Sequence, residues 1–208
     1  MKAPVFTLLG ASLLAATACD SSRTAVDDTS TATPTVESTA STAPVSFSRE
    51  VTLGDSRFEI RTTGEGAEQQ LTIRSYRGAA LTADPVRVDV TGAVRDAVSA
   101  DLNSNGKPEI YIFTDNPAAN GGFYGYEFGD RGYTPVSSPG LITGTAATGY
   151  SGKDTYKLSN GMLSRTFPVS STTAAADSTM PATATSRTIT YKLGADGKWT
   201  MGQVLNGQ

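Results

Sequence analysis

Short runs in which apolar and polar residues alternate fill residues 46–208 and constrain the fold more than any other feature. Phe58 and Ile60 alternate with charged neighbours, and the same period of two recurs at Val86, Val88 and Val90. Side chains of a β-strand point alternately to opposite faces, so this period is typical of strands with one buried face. No long stretch of residues 46–208 has the helical period. The sequence predicts an all-β domain, an antiparallel β-sandwich, with a barrel as the less favoured alternative.

Turn residues separate these runs and predict two hairpins. Asn160-Gly161 is the favoured residue pair of a type I′ turn, and Gly194 to Gly197 joins Leu193 to the next strand. Residues 137–152 and 170–186 are rich in small and hydroxylated residues. We expect both to be long surface loops.

The first 18 residues have the pattern of a bacterial lipoprotein signal peptide. Lys2 supplies the positive charge, residues 5–16 form an apolar stretch shorter than a membrane span, and Cys19 follows small residues. We expect cleavage before Cys19 and lipidation of its thiol, which would anchor an exported protein in a membrane, facing the periplasm or the cell exterior. The alternative is ordinary secretory cleavage that leaves a free thiol.

Residues 19–45 predict a flexible linker. Almost half of them are Ser or Thr, and none is aromatic. Such a segment buries too little apolar surface to offset the entropy lost on ordering. We expect it to hold the domain at 46–208 away from the membrane.

Composition excludes several classes of function. The chain has a net charge of −3, and removal of Lys2 with the signal peptide would make it −4, which disfavours a nucleic-acid-binding surface. The absence of histidine excludes a Ser-His-Asp triad and any His-ligated metal. No pair of acids stands out, so a glycosidase that works with carboxylates is the third and least favoured interpretation. We predict that the protein is not an enzyme and needs no cofactor.

A turn at residues 101–109 carries side-chain oxygens at its first, third, fifth and ninth positions. These belong to Asp101, Asn103, Asn105 and Glu109, and the Lys107 carbonyl is a further donor. This spacing fits a short calcium loop, but two carboxylates would bind a dication only weakly. The favoured alternative is a tight turn held by Asx side chains, with Gly106 at positive φ. No metal site is firmly predicted.

Residues 97–128 and three later segments resemble the bacterial periplasmic inhibitors of invertebrate-type lysozyme. That family carries the run D-L-N-G-[DN]-G-x-P-E-[IL]-Y-[VI], then a loop that ends S-G-x-Y-G. Here the run is DLNSNGKPEIYI at residues 101–112, and the loop ends GGFYG at residues 121–125. Further similarity lies in GY at 149–150, GMLSRTFPV at 161–169 and SRTITY at 186–191. The resemblance covers residues 50–201.

This resemblance implies a β-sandwich that inhibits lysozyme sterically. In the family, Ser and Tyr of the loop enter the active-site cleft, so residues 115–124 are the expected binding loop. Its contact residues would be Asn120, Gly121, Gly122, Phe123 and Tyr124, although Gly121 replaces the family serine. The alternative for Tyr124 is a core position, because it shares strand parity with Tyr126 and Phe128.

The remaining interpretations concern aromatic residues, arginines and partners. Aromatic side chains favour core packing over a sugar-binding platform; they are Tyr111, Phe113, Tyr126, Phe128, Tyr191 and Trp199. Arg165 and Arg187 are expected on a solvated face or in surface ion pairs that contribute little to stability. The expected partners are an invertebrate-type lysozyme and, through Cys19, a lipid membrane; a homodimer is compatible with the sequence. The alternative function is a calcium-supported binding or adhesion module on the cell surface.

Overall fold

The computed structural model describes residues 43–116, 118–170 and 185–207, and three antiparallel sheets contain most of them. The predicted signal peptide, Cys19, nearly all of the linker and most of the predicted 170–186 loop lie outside the described residues. The prediction of an antiparallel, all-β sandwich is confirmed.

The first sheet contains β1 (Val45–Leu53), β2 (Ser56–Thr63), β3 (Glu68–Arg77), β4 (Ala80–Leu81) and β5 (Val86–Thr91). The central sheet contains β6 (Ala93–Ala100), β7 (Glu109–Asp115), β8 (Gly122–Gly129) and β9 (Gly132–Val136), paired in that order. The third sheet contains β10 (Thr155–Ser159), β11 (Met162–Val169), β12 (Thr185–Leu193) and β13 (Trp199–Gly207), also paired in order. A single 3-10 turn, Gly144–Ala147, interrupts the otherwise irregular segment between β9 and β10 among the described residues.

The central sheet packs between the other two, because its strands contribute to two hydrophobic clusters. Ile110 and Ile112 of β7 pack in a cluster with the first sheet, whereas Tyr111 and Phe113 pack in a cluster with the third sheet. Every residue of β7 except Asp115 is buried. The apolar residues on both faces of this strand are therefore explained by a sheet that is covered on both sides.

Both predicted hairpin turns are present. Asn160 and Gly161 have φ of 51° and 70°, which are the two positive values that a type I′ turn requires. Gly197 has φ of 74°, and the Gly194 amide donates to the Lys198 carbonyl. Within the described ranges, no helix has the length and apolar character needed to cross a bilayer.

Candidate functional site

Two connections extend from opposite ends of β7, and both contain predicted site residues. The 101–108 turn precedes the strand, and the 116–121 loop follows it and leads into β8. Seven strand residues span about 20 Å, so the two connections lie at different ends of the central sheet. Ala118, Ala119 and Asn120 are exposed and form the described tip of the 116–121 loop.

The 116–121 loop is held at its base by two hydrogen bonds with the backbone of Asp154. The Gly121 amide donates to the Asp154 carbonyl at 2.8 Å, and the Asp154 amide donates to the Asn120 Oδ1 at 3.4 Å. A Cβ atom on Gly121 would lie 2.5 Å from the Thr114 carbonyl oxygen and 2.6 Å from that of Asp154. Glycine is therefore required here, and a serine as in the resembled family does not fit this backbone.

A buried ion pair fixes Asp154 in turn. Arg165 Nη2 lies 2.6 Å from Asp154 Oδ2, with the two side chains only 8% and 1% exposed. The Tyr150 hydroxyl donates to the same carboxylate at 2.7 Å, and Arg165 Nη1 donates to the Gly140 carbonyl at 3.2 Å. Burial is the largest single effect and would lower the pKa of Arg165, but the hydrogen bond with Asp154 and the charge interactions with Asp154, Tyr156 and Tyr150 together outweigh it and raise that pKa. Arg165, Asp154 and Tyr150 form what we call the loop anchor.

The prediction that Arg165 lies on a solvated face is wrong, and strand parity could have revealed this. Leu163 and Phe167 are buried on β11, and Arg165 lies midway between them on the same face. Arg187 is half-buried on β12 and donates to the Ala146 and Thr148 carbonyls, both at 2.8 Å. Arg187 therefore holds the 3-10 turn and the residue that follows it.

Three of the five predicted contact residues belong to β8 instead of to the loop. Phe123 packs in the cluster with the third sheet, with its ring centroid 5.8 Å from that of Trp199. Tyr124 packs beside Tyr126 and Phe128, as its strand parity predicts. The Tyr124 ring is half-buried, and its hydroxyl accepts a hydrogen bond from the Thr91 amide at 2.9 Å. Gly122 and Tyr124 therefore flank the loop, while Asn120 and Gly121 belong to it.

The 101–108 turn is held by Asx side chains. Both carboxylate oxygens of Asp101 accept from backbone amides, those of Asn105 and Gly106, at 3.0 and 2.9 Å. Asn103 Oδ1 accepts from the Asn105 amide, and Asn105 Oδ1 accepts from the Lys107 amide. Gly106 has φ of 80°, so the prediction of a positive φ is confirmed.

Glu109, the ninth residue of this turn, points into the core. It is fully buried, and its Oε2 accepts from the Leu102 amide at 2.7 Å and from the Tyr111 hydroxyl at 2.8 Å. Its Oε1 has no hydrogen-bond partner. Burial raises the pKa of Glu109, and the nearby carboxylates of Asp101 and Glu127 add to this effect.

Glu127, which sequence analysis missed, lies directly opposite Glu109 on β8. Its carboxylate accepts hydrogen bonds from Asn103 and Asn105 of the turn and from Lys107. Partial burial alone would raise the pKa of Glu127, but these hydrogen bonds outweigh it and lower that pKa. Cross-strand pairing is the signal that could have identified Glu127, but the register is not visible in the sequence.

The other predicted binding features are part of the core or of the turn. The aromatic side chains predicted as core residues are buried, apart from the half-buried Trp199. Among the described residues, no three acidic, His or Cys side chains are arranged to hold a metal ion. Two adjoining grooves of about 100 and 500 Å³ lie beside the 101–108 turn. Arg77 and Lys107 line both grooves. They are at the end of β7 away from the 116–121 loop.

The described residues thus offer an exposed loop on an anchored base, and no group of acidic, His or Cys side chains among them is arranged to hold a metal. Comparison of the chain with known protein families, with characterised proteins and with solved structures gives no match.

Proposed function

We propose that this protein is a lipid-anchored, extracytoplasmic inhibitor that binds lysozyme, most favourably the invertebrate type, and blocks its cleft with the 116–121 loop. The inhibition is steric, because no bond needs to be formed or broken. Cys19 would carry the lipid, and residues 20–45 would give the domain its reach from the membrane. The sequence resemblance to the inhibitor family supports the choice of partner.

The observation that carries the proposal is the contrast between the tip and the base of the 116–121 loop. The tip residues Ala118 and Ala119 are exposed and small, so they suit a narrow cleft. Asn120 is also exposed, and its Oδ1 joins the tip to the base by accepting from the Asp154 amide. The base is tied to Asp154, whose carboxylate is fixed by Arg165. A loop that is ordered before binding loses little conformational entropy on binding, and this favours affinity.

Tyr124 has a modified role in this proposal. Its hydroxyl accepts from the Thr91 amide and its ring packs on the core. Tyr124 therefore lies beside the loop and does not form its tip. Tyr124→Ala should weaken lysozyme binding by about 2 kcal/mol, the scale of a hot spot. Tyr124→Phe keeps the ring and should bind almost normally. Urea unfolding of both variants separates lost contacts from lost stability.

The direct test is inhibition of invertebrate-, chicken- and goose-type lysozymes by the exported chain. Ala119→Trp adds bulk at the exposed tip and should weaken inhibition about tenfold or more, equivalent to about 1.4 kcal/mol. Ala195→Trp makes the same change in the exposed β12–β13 turn and should leave inhibition unchanged. If no lysozyme is inhibited, or both variants behave alike, the proposal is wrong.

The anchor is tested separately. Cys19 is the only cysteine in the chain, so Cys19→Ser should release the protein from the membrane fraction or leave it unprocessed. A variant that is processed normally and stays membrane-bound after washing at high salt would contradict lipid anchoring.

A further inference from the structure

β13 differs from every other edge strand among the described residues. Each of the other edges carries a feature that hinders pairing with another strand: charged side chains on β1, β5, β6 and β10, Pro135 on β9, and a length of only two residues in β4. Charges, proline and short length are the usual means by which proteins protect sheet edges. β13 has nine residues, no charge and no proline.

The side chains of β13 are also unusually exposed. Every residue after Trp199 is exposed, including the apolar side chains of Met201, Val204 and Leu205 at 47%, 39% and 53%. Among the strands that the structure describes, β13 pairs only with β12. An uncharged edge with exposed apolar side chains is suited to receive a further strand.

The register of β13 against β12 fixes the face to which each side chain belongs. Met201 lies opposite Tyr191, and Val204 lies opposite Ile189. Tyr191 and Ile189 are both buried in the cluster with the central sheet, so Met201 and Val204 share that inner face.

A bulge between these pairs accounts for the odd spacing of Met201 and Val204. Thr190 closes it, because its Oγ1 accepts from the Gln203 amide at 2.9 Å. Beyond the bulge, Leu205 lies opposite Thr188 on the outer face, and before it, Thr200 lies opposite Lys192 on the same outer face.

We propose that β13 pairs antiparallel with β13 of a second copy of this chain, about a two-fold axis between Gly202 and Gln203. This register places Met201 opposite Val204 of the second copy on the inner face. It places Thr200 opposite Leu205 on the outer face. Opposite residues of an antiparallel pair share a face, and a shift by one residue would break this agreement.

The occupant is a second copy because the strand is complementary to itself. A two-fold axis makes the contact isologous, so each pairing, such as Met201 with Val204, occurs twice in the dimer. No like charges meet, since β13 has none. The third sheet of each copy would join its counterpart to form one eight-stranded sheet. The 116–121 loop is tied near β10, the other edge of that sheet, so both copies would keep it accessible.

Sedimentation velocity over a micromolar concentration series tests this pairing. The exported chain carries Cys19→Ser to exclude disulfide-linked dimers. A single strand pair is a small interface, so we expect a reversible monomer–dimer equilibrium. Val204→Lys should make the protein monomeric at every concentration. Leu81→Lys, the same change at an exposed apolar residue of β4, should dimerise like the parent.

A charge pair across the axis sharpens the test. Met201→Glu combined with Val204→Lys places opposite charges face to face in the proposed register, so dimerisation should return. A monomeric parent chain, a dimeric Val204→Lys variant, or a double variant that stays monomeric would overturn the proposal. Near-ultraviolet circular dichroism shows whether each variant keeps the native packing. These measurements do not involve lysozyme, so they are independent of the proposed function.

Discussion

Glu109 and Asp154 have buried carboxylates near opposite ends of β7, but only Asp154 has a cationic partner. Glu109 accepts from a backbone amide and a tyrosine hydroxyl, and burial raises its pKa. The Asp154 carboxylate forms an ion pair with Arg165 and accepts a hydrogen bond from the Tyr150 hydroxyl. At the turn end, burial makes Glu109 easier to protonate. At the loop end, Arg165 compensates the charge of Asp154.

The two ends also differ in how far apart along the chain their stabilising residues lie. The 101–108 turn is held largely by side chains within a few residues of one another. The 116–121 loop depends on Asp154 and Arg165, which lie 33 and 44 residues beyond Gly121 along the chain. A local turn keeps its conformation through short-range hydrogen bonds, while the loop can be placed only once the third sheet has formed.

The largest expected effect concerns the loop anchor. Arg165→Met keeps a similar volume but leaves the Asp154 carboxylate buried without a cation, so the free energy of unfolding should fall by about 3–5 kcal/mol. Urea unfolding measures this change. Adding Asp154→Leu to Arg165→Met should recover most of the loss, since no buried charge remains. If Arg165→Met alone costs less than 1 kcal/mol, the two ends of β7 do not differ as we describe.

The next effect concerns the backbone at Gly121. Gly121→Ser introduces a Cβ atom that overlaps two carbonyl oxygens, so it should destabilise the domain by about 1–3 kcal/mol and weaken lysozyme inhibition. Gly129→Ala is the control, because a Cβ atom there meets nothing within 4 Å. A stable Gly121→Ser variant with tighter binding would instead mean that the serine of the resembled family fits this loop.

The third prediction concerns Glu109, the buried acid at the turn end of β7, and the pH dependence of the free energy of unfolding. The raised pKa of Glu109 means that the folded protein holds a proton where the unfolded chain has lost it. Stability due to this group is therefore full below the usual carboxyl pKa and is lost as the pH rises through the folded pKa. Glu109→Gln should remove this pH dependence of the free energy of unfolding. The expected change is about 1.4 kcal/mol for each unit by which the pKa of Glu109 is raised.

Glu127→Gln is the matched control, because the pKa of Glu127 is lowered. Its contribution to stability is present above the usual carboxyl pKa and is lost as the pH falls through the folded pKa. The two variants should therefore differ from the parent in opposite pH directions. Urea unfolding from pH 8 to pH 4 measures both; equal pH profiles would contradict the assignment of a destabilised charge to Glu109.

The smallest expected effect is that of calcium. The Asp101 oxygens already accept backbone amides and Glu109 faces the core, so millimolar calcium should leave the melting temperature nearly unchanged. A rise of several degrees that a chelator reverses would favour the alternative of a calcium-supported module.

Local pattern predicted much of this structure. The alternating runs gave strands, Asn160-Gly161 gave a type I′ turn, and parity placed Tyr124 beside Tyr126. The pairing of Asp154 with Arg165 was not predictable in this way, because it depends on which strands become neighbours. The same is true of Glu127, which meets Glu109 only through the register of β7 and β8.

The central sheet also determines how the domain opens. Its two faces belong to different hydrophobic clusters, so removing either outer sheet exposes apolar side chains of β7 or its neighbours to water. The two clusters are therefore coupled through one shared layer, and we expect them to be lost in a single cooperative transition. Amide protons of β7 can then exchange with solvent only through that global opening, whereas those on the edge of β13 in a single copy exchange through local fraying, which the proposed strand pairing would suppress.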